Sequence, residues 1–258
     1  MIFINNQRIA SLAGVNYNQE AIKPGKLVYS RTHMVVDQYP LLATYDPCVL
    51  LTSFSDASVT TTMAVKLPAN VRCWFSNNVM TNNPRVIALP IGIRLSPDGE
   101  KLLEAAITRG RLPERNLVYM NFWRQFPKSK ITRNGIYEAF GGVTWVTTEG
   151  GFKHVPIAQF YEQIASHPYV ISPAGAGPDC HRHWESIMLG SIPIVIRSIA
   201  TNILEDMPCL ILQNWSELNE KRLRAELPAL RERFLHPSMQ KLDMAYWQGQ
   251  IQQQVEAL

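Results

Sequence analysis

A chain of 258 residues, 46% apolar and 18% charged, is long enough for one large or two small domains with real cores, and its composition is that of a soluble globular protein. A net charge of +4 is too mild to imply nucleic-acid binding. The four cysteines (Cys48, Cys73, Cys180, Cys209) lack C-x-x-C spacing, which argues against a zinc site or a disulfide framework and makes a reducing cytoplasm the simplest setting. No apolar run approaches the roughly 20 residues of a membrane helix. The start, Met1-Ile-Phe-Ile-Asn-Asn, lacks the basic residues and long apolar centre of a secretory signal.

Taken in order, the first 26 residues show little beyond a Pro24-Gly25 turn. β-rich residues fill 27–37. The run Cys48 to Phe54 reads as a buried strand that stops at the polar turn Ser55-Asp56-Ala57-Ser58. Ligands of open α/β sheets gather outside the carboxyl ends of strands, so Asp56 stands where a catalytic base would act, with His33 and Asp37 behind it. Further strands are predicted at Val71–Phe75 and Val86–Pro90. A helix is predicted over 98–109, with Leu102, Leu103, Ala106 and Ile107 on one face. This alternation predicts parallel sheets with crossovers. The turn-rich stretch 109–115 is the expected linker, dividing residues 1–112 from 113–258.

The second half opens with a strand over 116–122 that ends at Asn121. Basic residues follow: Arg124, Lys128, Lys130 and Arg133. A helix at 135–140, a strand at 143–147, a loop at 148–151 and an amphipathic helix at 156–166 lead to the most informative stretch. There, Tyr169 to Ile171 is a short buried strand, Gly175 and Gly177 allow a sharp turn close to a ligand, and Ile192 to Ile196 is a second strand. Pro178 and Asp179 are expected to open the helix between them, with Asp179 as its N-cap and Gly190 at its end. A helix N-terminus behind a glycine loop favours an anion such as phosphate. Arg182 and Glu185, three residues apart, share a helix face. They either hold a phosphate and a ribose or simply pair with each other. His181 and His183 are two apart and point to different sides, which argues against a metal pair. A G-x-G-x-x-G dinucleotide fingerprint would need glycine at position 180, where Cys180 stands. A last strand at 209–212 and helical segments from Trp215 onward complete the chain.

The pattern Ser172-Pro173-x-Gly175-x-Gly177-x-Asp179-Cys180-x-Arg182-x-Trp184-Glu185, with Gly190-Ser191-Ile192-Pro193-Ile194-Val195, resembles the C-terminal signature of exostosin-like glycosyltransferases. Trp74-Phe-x-x-Asn78 leading to Ile87-Ala-Leu-Pro-Ile-Gly92, and Leu117 to Phe122, are similar to segments of relatives of that group. The resemblance implies a GT-B-like α/β fold: two Rossmann-like domains with parallel sheets facing across a cleft. It also implies transfer of a sugar from a nucleotide-diphosphate donor, a UDP-sugar foremost, to a glycan or other hydroxyl acceptor. The transfer would invert the anomeric centre and need neither metal nor cofactor. Asn121, Arg133, Ser172, Gly175, Gly177, Asp179, Arg182 and Glu185 would bind the donor, and Asp56 would be the base. A C-terminal helix over 244–255 would pack back across the first half. Animal members of the group are anchored in the secretory pathway. This sequence shows no such segment and fits a bacterial or viral cytoplasmic form. The competing expectation is a non-catalytic nucleotide- or glycan-binding module of the same fold.

Overall fold

The computed structural model describes residues 1–96, 98–124, 130–149 and 155–258; Lys128 and the loop residues Gly150 and Gly151 lie outside them. The first half contains helices α1 (Asn6–Leu12), α2 (Tyr39–Leu42), α3 (Thr61–Val65) and α4 (Gly99–Arg109). Its strands are β1 (Leu27–Arg31), β2 (Cys48–Ser53), β3 (Val59–Thr60), β4 (Val71–Ser76), β5 (Val79–Met80) and β6 (Val86–Ala88). Strands β1, β2, β4 and β6 pair in that order, all parallel, while β3 and β5 form a separate short pair. The central strands are apolar on both faces, as a covered parallel sheet requires. Tyr29, Val49, Leu51, Cys73 and Phe75 pack against α1 on one side. Val28, Leu50 and Trp74 pack against Val35, Tyr39 and Leu42 on the other.

The second half runs β7 (Val118–Met120), α5 (Lys130–Phe140), β8 (Val146–Thr148), α6 (Ile157–Ala165), β9 (Tyr169–Ile171), α7 (His181–Met188), β10 (Ile192–Ile196), β11 (Leu210–Leu212), α8 (Glu220–Glu232) and α9 (Met244–Glu256). Its five strands pair in parallel in the order β11, β10, β9, β7, β8. Strand order therefore reverses between β7 and β9. The carboxyl edge of a parallel sheet at such a reversal is the usual position of a ligand. One face of the sheet is covered by Ile136 and Phe140 of α5 and Leu223 and Leu230 of α8. The other carries Leu103 of α4, Phe160 and Ile164 of α6, and Trp184 and Ile187 of α7.

The two halves are joined by more than the connecting chain. Met244, Trp247 and Ile251 of α9 belong to the core of the first sheet, so the C-terminal helix crosses back as expected. The N-terminal segment is wedged between the halves: Phe3 packs with Tyr119 and Phe160 while Ile4 packs with Tyr29 and Leu89. Ile4 O accepts from Ile93 N at 3.0 Å, and Ile2 O from Met244 N at 2.7 Å. None of the described helices is long and apolar enough to cross a membrane, and all four cysteines are free.

Three expectations need correction. Residues 34–37 are turns rather than strand: Met34 N bonds back to Arg31 O at 2.9 Å, and the chain curls so that Val35 is buried under the first sheet. The strand expected at 143–147 begins only at Val146, because 3.2 Å and 3.0 Å bonds from Val143 N to Phe140 O and from Val146 N to Val143 O close turns before it. Helix α7 starts at His181 with Cys180 as N-cap, one residue later than expected.

Candidate functional site

The loop 172–180 leaves the carboxyl end of β9 at the strand-order reversal. Asp179 does not cap α7. Its carboxylate is buried and accepts from Ile91 N and from Trp184 Nε1, both at 2.8 Å. Burial pushes this carboxyl up to about 6, against the pull of His183 and the two donors. The Asp179 amide in turn donates to Asn78 Oδ1 at 3.0 Å. Gly177 is packed so closely on Asn78 that a Cβ there would lie 2.5 Å from Oδ1, so glycine is required by approach and not by φ. Asn78 itself sits at φ 53 just beyond β4, and its Nδ2 donates to Ser55 O at 3.1 Å. The carboxyl edges of the two sheets thus meet through Asn78.

Some loop amides are already engaged: Asp179 N by Asn78, and Gly175 N by Gly177 O at 2.9 Å. Among the described residues, the amides of Ala176, Gly177, Cys180, His181 and Arg182 make no hydrogen bond. The last three are the free donors of the first turn of α7, where the helix dipole is positive.

Two arginines flank these amides. Arg133, on α5, is buried; its Nε and Nη2 donate to Ala174 O at 3.2 and 2.9 Å and its Nη1 to Trp123 O at 2.9 Å. Arg182 is half-buried, with its Nε buried and without a partner. Both guanidiniums lie on the Phe122 ring, at 5.6 and 5.7 Å from its centroid. Burial, with the neighbouring Arg182 charge, drops Arg133 to about 10. Like charges side by side, Arg133 buried and Arg182 half-buried, favour an anion between them. Asn121, half-buried at the end of β7, donates from Nδ2 to Tyr119 OH at 2.7 Å, and Tyr119 donates to Glu149 Oε2 at 3.1 Å.

Glu185 does not pair with Arg182. It is fully buried and forms a two-pronged pair with Arg94, Nε to Oε1 and Nη2 to Oε2 each at 2.8 Å, with Tyr161 OH 3.3 Å from Oε1. Burial would raise its carboxyl, but the Arg94 charge and hydrogen bonds hold it below the usual range. One turn earlier, His181 Nδ1 lies 2.8 Å from Gly92 O. The helix is therefore clamped to segment 91–94 of the first half.

His183 faces the other way, as the two-residue spacing requires, and is buried. Its Nδ1 lies 2.7 Å from Ser172 Oγ and 3.5 Å from Cys180 Sγ. Burial would raise the Cys180 thiol, yet the His183 charge and hydrogen bond, with Arg182 and Ser172, bring it down to about 5. Sequence reasoning weighed His183 only as a metal ligand and missed this pair. It also missed Arg94 as the partner of Glu185, because nothing in the chain order announces a contact across 91 positions.

Asp56 is exposed in the loop after β2 and makes no hydrogen bond or ion pair among the described residues. His33, also exposed, has Nδ1 3.2 Å from Oγ of Ser55, the residue that Asn78 holds by its carbonyl. Asp56 and His33 thus both lie in loops at the carboxyl edge of the first sheet, beside Ser55. Asp37 is exposed, and no contact among the described residues ties it to that rim.

No family model matches the chain, and no curated protein matches it in sequence. Among solved structures, the chain is similar to a UDP-forming α,α-trehalose-phosphate synthase from Burkholderia xenovorans, with a TM-score of 0.52 at 10% identity over 91% of this chain and 74% of that one. It is also similar to a sucrose-phosphate synthase from Thermosynechococcus elongatus, with a TM-score of 0.48 at 13% identity over 90% and 74%. With two parallel sheets meeting at their carboxyl edges and a glycine loop at the reversal of the second, the chain has the GT-B fold.

Proposed function

We propose that the protein is a glycosyltransferase that moves a sugar from a nucleotide-diphosphate donor, a UDP-sugar foremost, to an acceptor hydroxyl. The observation that carries this reading is the Arg133–Arg182 pair on Phe122, set beside the free amides of 180–182 at the strand-order reversal. Cations and aligned N–H groups around one point match a pyrophosphate, first as ligand and then as leaving group. Ser172 holds His183, Gly175 and Gly177 shape the loop, and Asp179 locks it to segment 91–94. Glu185 is fully buried, so a ribose contact from it requires the covering segment 91–94 to move.

In the transfer step the acceptor oxygen attacks the anomeric carbon, its proton passes to Asp56, and the bond to the diphosphate oxygen breaks. The nucleoside diphosphate leaves with its charge held by Arg182, Arg133 and the helix amides. Membership of the exostosin-like group and inversion are proposed from the 172–195 signature, and independence from metal from the arginines and free amides that would hold the leaving diphosphate. Calorimetric titration with UDP and other nucleoside diphosphates tests the site. Arg182→Ala should weaken binding by at least about tenfold, the scale of one charge-assisted hydrogen bond; equal affinity in the variant would remove the assignment. Asp56→Asn should keep donor affinity and abolish transfer.

A further inference from the structure

A cavity of about 500 Å³ lies at the end of α7 remote from the glycine loop, beside the amino edge of the second sheet. Pockets that hold small molecules run from about 300 to about 1,000 Å³. Ile187 and Met188, at the close of α7, form one wall. Ile107 of α4 and Phe3 of the N-terminal segment form two more, and Phe234 and Leu242, between α8 and α9, complete it. The cavity opens to solvent past Met1, which is 73% exposed, and Leu235, next to Phe234, is 90% exposed. Apolar walls give water no partners, so water held there is weakly bound and an apolar group displaces it favourably.

Two polar side chains interrupt this lining. Glu104 and Thr108 stand four residues apart on α4, the spacing that sets two side chains next to each other on one helix face. Both are exposed. The nearby acids are paired, Glu100 with Arg8 at 2.7 Å and Glu162 with Arg109 at 2.9 Å. Among the described residues, by contrast, no cation pairs with Glu104 and no group bonds the Thr108 hydroxyl. An uncompensated carboxylate and an unused hydroxyl therefore stand together where the apolar cavity meets solvent.

This arrangement specifies an apolar body inside and a hydrogen-bonding cation at the opening. We propose that the cavity binds an amphiphile with an alkyl chain and an ammonium head, the chain packed against Phe3, Ile187 and Phe234 and the head set between Glu104 and Thr108. An anionic head would meet the Glu104 charge instead. The eight residues of α7, about 12 Å of helix, separate this site from the glycine loop, so it stands apart from the glycosyl-transfer reading.

The test is calorimetry on the full chain with hexylamine, octylamine and decylamine, each below its micelle-forming concentration, and with decanoate as the head-group control. Affinity should climb about threefold with each added methylene, the scale of moving one from water to an apolar site. Decylamine should bind about fivefold more tightly than decanoate, the scale of an exposed ion pair. Glu104→Gln, a change on an exposed helix face, should bring amine and carboxylate within about twofold of each other and leave the dependence on chain length in place. Equal affinity for the three amines, decanoate binding as well as decylamine, or an amine preference that survives Glu104→Gln overturns the proposal. Binding to phosphatidylcholine vesicles without binding of monomeric decylamine also overturns it, and assigns the apolar residues around Met1 and Leu235 to a membrane surface. Titration with UDP is unaffected by any of these outcomes, so the two readings fail separately.

Discussion

Cys180 is the residue whose chemistry departs furthest from its type. Cys48, Cys73 and Cys209 are buried with thiols pushed up by desolvation, Cys73 to about 11, whereas Cys180 is half-buried beside His183 and drops to about 5. At neutral pH it is a thiolate and the others are not. Iodoacetamide at pH 7 should therefore label Cys180 at least about tenfold faster than the rest, as read by mass spectrometry, and a bound nucleoside diphosphate should protect it. Even labelling of all four would refute the ion pair with His183. Glu185 gives a second expectation. Removing Arg94 leaves a carboxylate buried without its counter-charge, which costs about 3 kcal/mol, the low end for a buried pair because the Arg94 side chain is 37% exposed. Arg94→Ala alone should lose about that much in denaturant unfolding, and the double variant with Glu185→Leu should recover much of it. The sign of the pH dependence follows from the depressed carboxyl. Stability from Glu185 is fully present above its usual value of 4.5 and is lost as pH falls through its lower folded value. Glu185→Gln should remove this acid sensitivity.

At the level of elements, the strap formed by α9 and the joint at Gly92 decide the most. Trp247 is nearly fully buried in the core of the first sheet, and its Nε1 donates to Lys241 O at 2.9 Å. Trp247→Ala should destabilise the protein by about 3–5 kcal/mol, read from the unfolding midpoint. Gly92 has φ +69, and a Cβ there would fall 1.9 Å from Ile4 O. No small shift accommodates that, because the obstacle is backbone. Gly92→Ala should cost more than about 2 kcal/mol from conformation and clash together. Since Gly92 O also meets His181, the same change should weaken nucleoside diphosphate binding. A variant with unchanged Tm and affinity would show that the joint does not position α7.

Over the whole molecule, the sequence by itself determined the periodic elements. Apolar runs such as Cys48 to Ser53 and Ile192 to Ile196 read as buried strands because each is covered on both faces, and the glycine loop after Tyr169–Ile171 announces itself through residue types alone. The N-cap role given to Asp179 failed because a buried acid takes whatever donors the fold brings to it, and Ile91, 88 positions away, was one of them. Short pieces such as β3, β5 and α2 carry too few residues for any period to show. Only the tertiary structure decided which charges meet, namely Arg94 with Glu185 and Arg133 beside Arg182. The physical reason is one of range. Patterning acts along a few turns or strands of chain, whereas pairing, desolvation and unsatisfied hydrogen bonds arise between residues that only folding brings together.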